Sequence, residues 1–263
     1  MPAKKHQVTL GCGLIGIGRP WGFVASEVPT EAQAFRFLEH AFELGIRFFD
    51  TAPSYAFSEA RLGSFLRRLT REHRKQVVVA TKFGESWDES SQDVVVDHSL
   101  DALTRSLDRS LNLLGAIDVL QIHKTTPEVL RSHAIAKAWE YAATANITQF
   151  GASIKDAESG RIVCSQSPYS VIQLPYNIDS ATLASTIDTA TEHKRFVLVN
   201  RPFNMGKLAV SAGPHRLQSL VAAFRFVLAP RYDGIVLTGT KSIQHLDENW
   251  LAFREAAEQR LLI

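Results

Sequence analysis

Cysteine is nearly missing from this chain of 263 residues, which has only Cys12 and Cys164, far apart in sequence. Two such residues offer no disulfide framework, and without a C-x-x-C pair they offer no zinc knuckle. They are expected to be reduced, small apolar fillers. Long hydrophobic runs are missing too: no window approaches the eighteen or so apolar residues of a membrane helix, so no membrane partner is expected. The stretch Met1 to Gln7 is charged, with no apolar run behind it of the kind a secretion signal needs. The expected address is the cytoplasm. Nor does charge of one sign dominate, because 29 Lys+Arg against 27 Asp+Glu leave a formal net charge of +2. The densest basic run, Arg67 to Lys75, is split by Glu72 and falls where a helix should be solvated, so no nucleic-acid partner is expected. What remains, 45% hydrophobic and 21% charged residues, is ordinary globular composition.

The pattern that is present is an alternation. Short, nearly continuous apolar runs occur at Gly13–Gly18, Arg47–Asp50, Val77–Lys82, Asp118–His123, Gln149–Ser153, Val171–Leu174, Phe196–Asn200 and Gly234–Thr238. Each reads as a parallel strand buried on both faces. Longer amphipathic runs separate them: Thr30–Leu44, Glu59–Thr70, Leu100–Leu114, Pro127–Ala145, Ala157–Ser165, Ala181–Glu192, Arg216–Leu228 and Ser242–Glu258. Thr30 supplies a cap and Glu31 an early acid for the first of these. Gly45 stands where that helix needs a left-handed terminal residue. Eight strands alternating with eight helices, with no long linker, imply an α/β fold of the (β/α)8 barrel kind, with residues 1–263 forming a single domain. An open doubly wound sheet would place a glycine-rich turn between its first strand and first helix. Here Gly11, Gly13, Gly16 and Gly18 lie in or before the strand, about a dozen residues short of the helix.

A barrel carries its chemistry at the carboxyl ends of its strands. Three strands in succession end on a polar residue, Asp50, Lys82 and His123, and Tyr55 stands in the loop after the first of them. Singly, each has an ordinary structural use as a turn cap, a rim ring, a snorkelling amine or a hydrogen-bonded imidazole. Together they make a proton-transfer set. A phenol with a pKa near ~10 is a reluctant acid, an adjacent ammonium stabilises its phenolate, and a carboxylate fixes that ammonium. A neutral imidazole can then orient a substrate oxygen.

The residues around this set resemble the aldo-keto reductases. Gly45-Ile46-Arg47-Phe48-Phe49-Asp50-Thr51-Ala52-Pro53-Ser54-Tyr55, with Ser58-Glu59 and Leu62-Gly63, is similar to that family's signature. Val79-Ala80-Thr81-Lys82-Phe83-Gly84 is similar to its lysine motif, and Asp118 to His123 to its histidine motif. Gly151-Ala152-Ser153, Gln173 to Asn177 and Gly239 to Asn249 follow in family order, so the likeness runs along essentially the whole chain. It implies hydride transfer between a nicotinamide cofactor and a small carbonyl or alcohol. Tyr55 would be the general acid or base, tuned by Lys82 and Asp50, with His123 orienting the substrate. Ser153 and Gln173 would hold the carboxamide. Arg201 would reach the diphosphate, and Gly239, Thr240, Lys241, Ser242, His245 and Asn249 would form the phosphate end. Trp21 would wall the substrate pocket. No metal is implied.

Three positions depart from the family pattern. Ile154 follows Ser153 where an Asn is usual, Asn200 stands where a ring often stacks on nicotinamide, and His245 replaces an Arg. NADP(H) is still favoured over NAD(H), because Lys241, Ser242 and His245 remain available to a 2′-phosphate. The resemblance also implies a shortened hairpin before the first strand, a short loop after His123 and no long tail after Glu258. An open, weakly selective pocket and a monomer or weak oligomer are therefore expected. Two other readings are a Schiff-base aldolase using Lys82, which the adjacent Asp50 opposes, and a non-catalytic nicotinamide-binding regulatory subunit.

Overall fold

The computed structural model describes residues 6–23, 27–211 and 213–260. Residues 1–5, in the stretch read for a leader, and 261–263, in the stretch read for a tail, lie outside the described residues. The strands are β1 (Val8–Gly13), β2 (Phe48–Asp50), β3 (Val78–Phe83), β4 (Glu85–Asp88), β5 (Asp93–Val96), β6 (Val119–Ile122), β7 (Gln149–Ser153), β8 (Tyr169–Pro175), β9 (Phe196–Asn200) and β10 (Gly234–Thr238). Eight of them close into a barrel in the order β1-β10-β9-β8-β7-β6-β3-β2, and every pairing in that ring is parallel. Helices alternate with these strands, as expected of a (β/α)8 barrel. None of the helices in the described residues is long and apolar enough to cross a membrane.

The strand period of two explains how the barrel makes a site. Phe48, Ala80, Val119, Val171, Leu198, Ile235 and Leu237 pack on one another as a buried cluster. Two residues further along five of these strands stand Asp50, Lys82, Gln121, Gln173 and Asn200. Because side chains two apart share a face, each strand carries an apolar plug with a polar residue above it. The second, larger core lies between strands and helices and includes Leu10, Cys12, Phe49, Val79, Leu120 and Ile172. Burial there pushes the Cys12 thiol up to about 12 and the Cys164 thiol to about 11, so both behave as apolar groups.

Three elements differ from the sequence expectation. The first strand is Val8–Gly13, while Ile15–Gly18 forms a single helical turn. Alternating glycine and apolar residues from Gly13 to Gly18 imitate a strand. Pairing decides otherwise, with Val8 opposite Gly234 and Cys12 opposite Thr238 and Phe49. The segment after β3 folds back as the antiparallel hairpin β4–β5, with Trp87 opposite Val94. Its tip is held by Asp88, whose Oδ1 accepts from Ser90 N and Oγ at 2.8 and 2.7 Å. The long helix expected over Pro127–Ala145 is two, Pro127–Leu130 and His133–Thr144, restarted by the Ser132 cap on Ile135 N at 3.3 Å.

Candidate active site

The end of β2 builds the centre of the site. Thr51 N donates to Ala80 O at 2.8 Å, keeping the chain on the sheet one residue past Asp50. Pro53–Tyr55 then forms a 3-10 turn, and Tyr55 N donates to Ala52 O at 3.0 Å. A buried relay locks the loop from below. Thr51 Oγ1 donates to Ser58 Oγ at 2.8 Å, and Ser58 Oγ donates to Leu14 O at 3.1 Å. Gly18 locks it from the side: a Cβ there would fall 1.8 Å from Tyr55 O and 2.7 Å from Ser58 N. Only glycine lets the two backbones meet so closely.

Lys82 and Asp50 are 1% and 2% exposed. Lys82 Nζ donates to Asp50 Oδ2 at 2.7 Å and to Thr51 O at 2.9 Å, and lies 5.1 Å from the centre of the Tyr55 ring. Asp50 also accepts from Gln121 Nε2 at 3.2 Å and from Gln173 Nε2 at 3.4 Å. Burial alone would lower the Lys82 pKa, but Asp50 and Tyr55 outweigh it and leave the pKa raised. The amine is therefore an ammonium. The Tyr55 phenol moves opposite to the expectation. Burial raises its pKa, Lys82 pulls it down, and burial prevails because Asp50 and Glu85 oppose the pull.

His123 stands across the cleft with its ring 6.1 Å from that of Tyr55 and edge-on to it. Its Nδ1 lies 2.6 Å from Glu85 Oε2 and 3.4 Å from Ser54 Oγ. Burial would raise the Glu85 pKa, yet the bond from His123, Lys124 at 3.4 Å and the Ser54 hydroxyl bring it down to about 2. An ionised carboxylate can only accept, so Nδ1 carries the proton and Nε2 is left for the cleft. Burial lowers the His123 pKa despite Glu85, so the ring is neutral near pH 7.

These groups share one cleft of about 680 Å³ with Trp21, Ser153, Gln173, Asn200, Arg201 and the segment Gly239, Thr240, Lys241, Ser242, His245 and Asn249. Every site residue expected from the sequence lines that cleft or, as Lys82 does, touches one that does. At the far end, Ser242 caps the helix Ile243–Arg260 through His245 N at 3.3 Å, and Thr240 Oγ1 accepts from Ser242 N at 3.1 Å. Lys241 donates to Glu27 O. Burial, and then Arg216, lower the His245 pKa, so that imidazole brings no charge near neutral pH.

Several groups of the cleft could hold a dinucleotide. Gln173 Oε1 and Asn200 Oδ1 are buried acceptors without partners, suited to amide N–H groups of a carboxamide. At Gly239 a Cβ would lie 3.7 Å from Gly13 O, so bare backbone forms the wall at that point. The first-turn amides of an 18-residue helix open onto the same place. Ile154 points into the core, 2% exposed, and takes no part. Four residues of the site were not among the candidates expected from the sequence. Glu85 and Gln121 are partners of His123 and Asp50. Arg216 is paired with Glu248 at 2.6 Å, and Arg19 is at the rim. Only the polar residue two places after a barrel apolar, as at Gln121, was a usable signal.

Comparison with known proteins shows the family. The family profile described as Aldo/keto reductase family matches residues 9–211. Aldo-keto reductase yakc [NADP(+)] of Schizosaccharomyces pombe is 27% identical over 172 residues, 64% of this chain and 48% of the relative. L-galactose dehydrogenase of Arabidopsis thaliana is 36% identical over 118 residues, 43% of this chain and 33% of the relative. An aldo-keto reductase structure from Pseudomonas aeruginosa superposes with a TM-score of 0.78 at 26% identity, covering 94% of this chain and 90% of that one. The chain thus spans 48% to 63% of the length of the first curated relatives it matches, although it covers nine-tenths of the solved structure.

Proposed function

The chain belongs to the aldo/keto reductase family of oxidoreductases, and from that premise we propose that it interconverts a small carbonyl compound and its alcohol with NADP(H) as partner. The observation that carries the reading is the buried Asp50–Lys82 pair held beneath the Tyr55 ring, opposite an imidazole whose Nδ1 is committed to Glu85. The nicotinamide, when bound, supplies or takes up the hydride. Everything else falls to the chain's own side chains.

In the reductive direction Tyr55 gives its phenolic proton to the carbonyl oxygen. The ammonium of Lys82 stabilises the phenolate that forms, and Asp50 holds the ammonium in place. In the oxidative direction the phenolate takes the hydroxyl proton. Neutral His123 offers its Nε2 lone pair to that hydroxyl, while the imidazolium donates to a carbonyl oxygen. Gln173 and Ser153 hold the carboxamide, Arg201 reaches the diphosphate, and Gly239, Thr240, Ser242 and Asn249 cradle the phosphate end. Lys241, with Arg216 beside the uncharged His245, supports NADP(H) over NAD(H). A raised Lys82 pKa favours this reading over a Schiff-base aldolase, which needs the free amine.

The test is oxidation of NADPH and of NADH with a panel of aldehydes, ketones and sugars, run in parallel on Tyr55→Phe. Wild-type turnover is expected to fall at least ~10²-fold in the variant, with NADPH affinity retained. Full turnover by Tyr55→Phe overturns the assignment.

A further inference from the structure

The rim of the cleft holds a guanidinium that the hydride-transfer chemistry does not use. Arg19 follows the helical turn Ile15–Gly18 and lines the same cleft as Tyr55 and His123. Its Cζ lies 5.3 Å from the Trp21 ring and 5.2 Å from the Trp87 ring. Two separate loops, the one after β1 and the β4–β5 hairpin, therefore bring an indole to it. Its backbone is fixed by Arg19 N donating to Ile15 O at 3.0 Å and by the contact of Gly18 with Tyr55. Arg19 Nε is buried and has no acceptor.

The charges nearby sharpen the point. The carboxylates lining the cleft among the described residues are Asp50 and Glu85, the first engaged by Lys82 and the second by His123 and Lys124. Neither is paired with Arg19. A guanidinium stacked on aromatic rings keeps its in-plane N–H groups free, and those are the groups that bind an oxyanion. A buried N–H without an acceptor is rare in a folded protein unless a ligand completes it. Trp87 shares its hairpin with Glu85, the partner of His123, so Arg19 stands on the His123 side of the cleft.

We propose that Arg19, held by Trp21 and Trp87, is the specificity determinant for the substrate and selects carbonyl compounds or alcohols that carry an oxyanion, a carboxylate or a phosphate. This rests on the reductase reading above and narrows its substrate class. Matched pairs test it: succinic semialdehyde against butanal for carboxylate, and glyceraldehyde 3-phosphate against glyceraldehyde for phosphate. Wild type is expected to favour at least one anion by roughly tenfold or more in kcat/KM. Arg19→Gln should lose most of that preference while losing far less on the neutral member, which also shows that the variant is folded. Arg19→Lys, with charge but no planar fork, should fall between. Equal kcat/KM within both pairs in wild type, or a preference that survives Arg19→Gln, overturns the proposal.

A second measurement needs no turnover. Succinate and inorganic phosphate are titrated against the tryptophan fluorescence of wild type and Arg19→Gln, since two indoles flank the site. A saturable change with either anion that vanishes in the variant supports the site, and the anion that gives it identifies the class. No Arg19-dependent response to either overturns it. Should wild type reduce none of the four aldehydes, the reductase reading fails and the titration alone decides Arg19.

Discussion

Replacing Lys82 by Met removes the ammonium and nearly conserves the side-chain volume, so the electrostatic part of the site can be measured with little change in packing. The structure sets the expected size of the effect. Asp50 Oδ2 loses its 2.7 Å partner, and the carboxylate keeps only the neutral amides of Gln121 at 3.2 Å and Gln173 at 3.4 Å. Both members are almost wholly buried, so water cannot replace the lost contact without opening the barrel mouth. Breaking one side of such a pair costs about 3–5 kcal/mol, because an uncompensated charge stays behind. Asp50→Asn should be costly for the same reason, leaving a buried ammonium. The double variant, Asp50→Asn with Lys82→Met, removes both charges and should be far more stable than the sum of the singles predicts, with a coupling of roughly 2 kcal/mol or more. Urea unfolding followed by circular dichroism, with midpoint and slope both reported, gives the four values needed for the cycle. A loss below about 1 kcal/mol for Lys82→Met, or simple additivity, would place the pair in the range of a solvated surface contact. Burial would then add little to the strength of the pair.

The two reaction directions should respond oppositely to pH. The Tyr55 phenol titrates above its ordinary ~10 and His123 below its ordinary ~6.5. Reduction should therefore hold through neutral pH and improve as His123 gains its proton, whereas oxidation should rise with pH. In Lys82→Met the phenol limb should move higher still, and parallel trends in kcat/KM for a slow substrate would show that Tyr55 is not the proton-exchanging group. Lys241→Ala should weaken NADPH by roughly 1–3 kcal/mol more than NADH, since a charge-assisted contact to a 2′-phosphate is lost. Fluorescence titration with both cofactors reads this, and equal losses would move the 2′-phosphate site elsewhere. Gly18→Ala should lower both melting temperature and turnover, with a cost of roughly 1–3 kcal/mol for overpacking, because the new methyl meets backbone atoms of Tyr55 and Ser58. An unchanged melting curve and rate would mean that the loop yields freely.

What could be read from the sequence follows from which interactions are local. A buried parallel strand announces itself by a short apolar run, so seven of the eight barrel strands were placed to within a few residues. The eighth, β1, was displaced because alternating glycine satisfies the same hydropathy pattern, while its true register comes from β10 and β2. The β4–β5 hairpin escaped because it rests on cross-strand pairs such as Trp87 with Val94, each half too short to declare a period. The convergence of the candidate set was legible for a chemical reason. Asp50, Lys82 and His123 are polar residues at the ends of apolar strands, and such positions in a barrel converge on one mouth.

The same rule fails for the partners of these groups, and the failure separates the groups at the mouth from those that hold them. Glu85 reaches His123 because β3 turns back at Gly84, whose φ of +92° is one that a residue with a side chain rarely adopts. No spacing in the sequence foretells that approach, yet it fixes which imidazole nitrogen faces the cleft. Gln121 and Gln173 are ordinary residues in composition, but their shared position above the barrel's apolar plug makes them the second and third donors to Asp50. Arg19 needs two loops before it can sit between two indoles. Strand-end residues that meet at the mouth are set by the barrel, which repeats the same geometry eight times. Residues that hold them in one tautomer, one charge state or one specificity are set by loops, where the fold imposes no period and only the assembled structure brings the groups together.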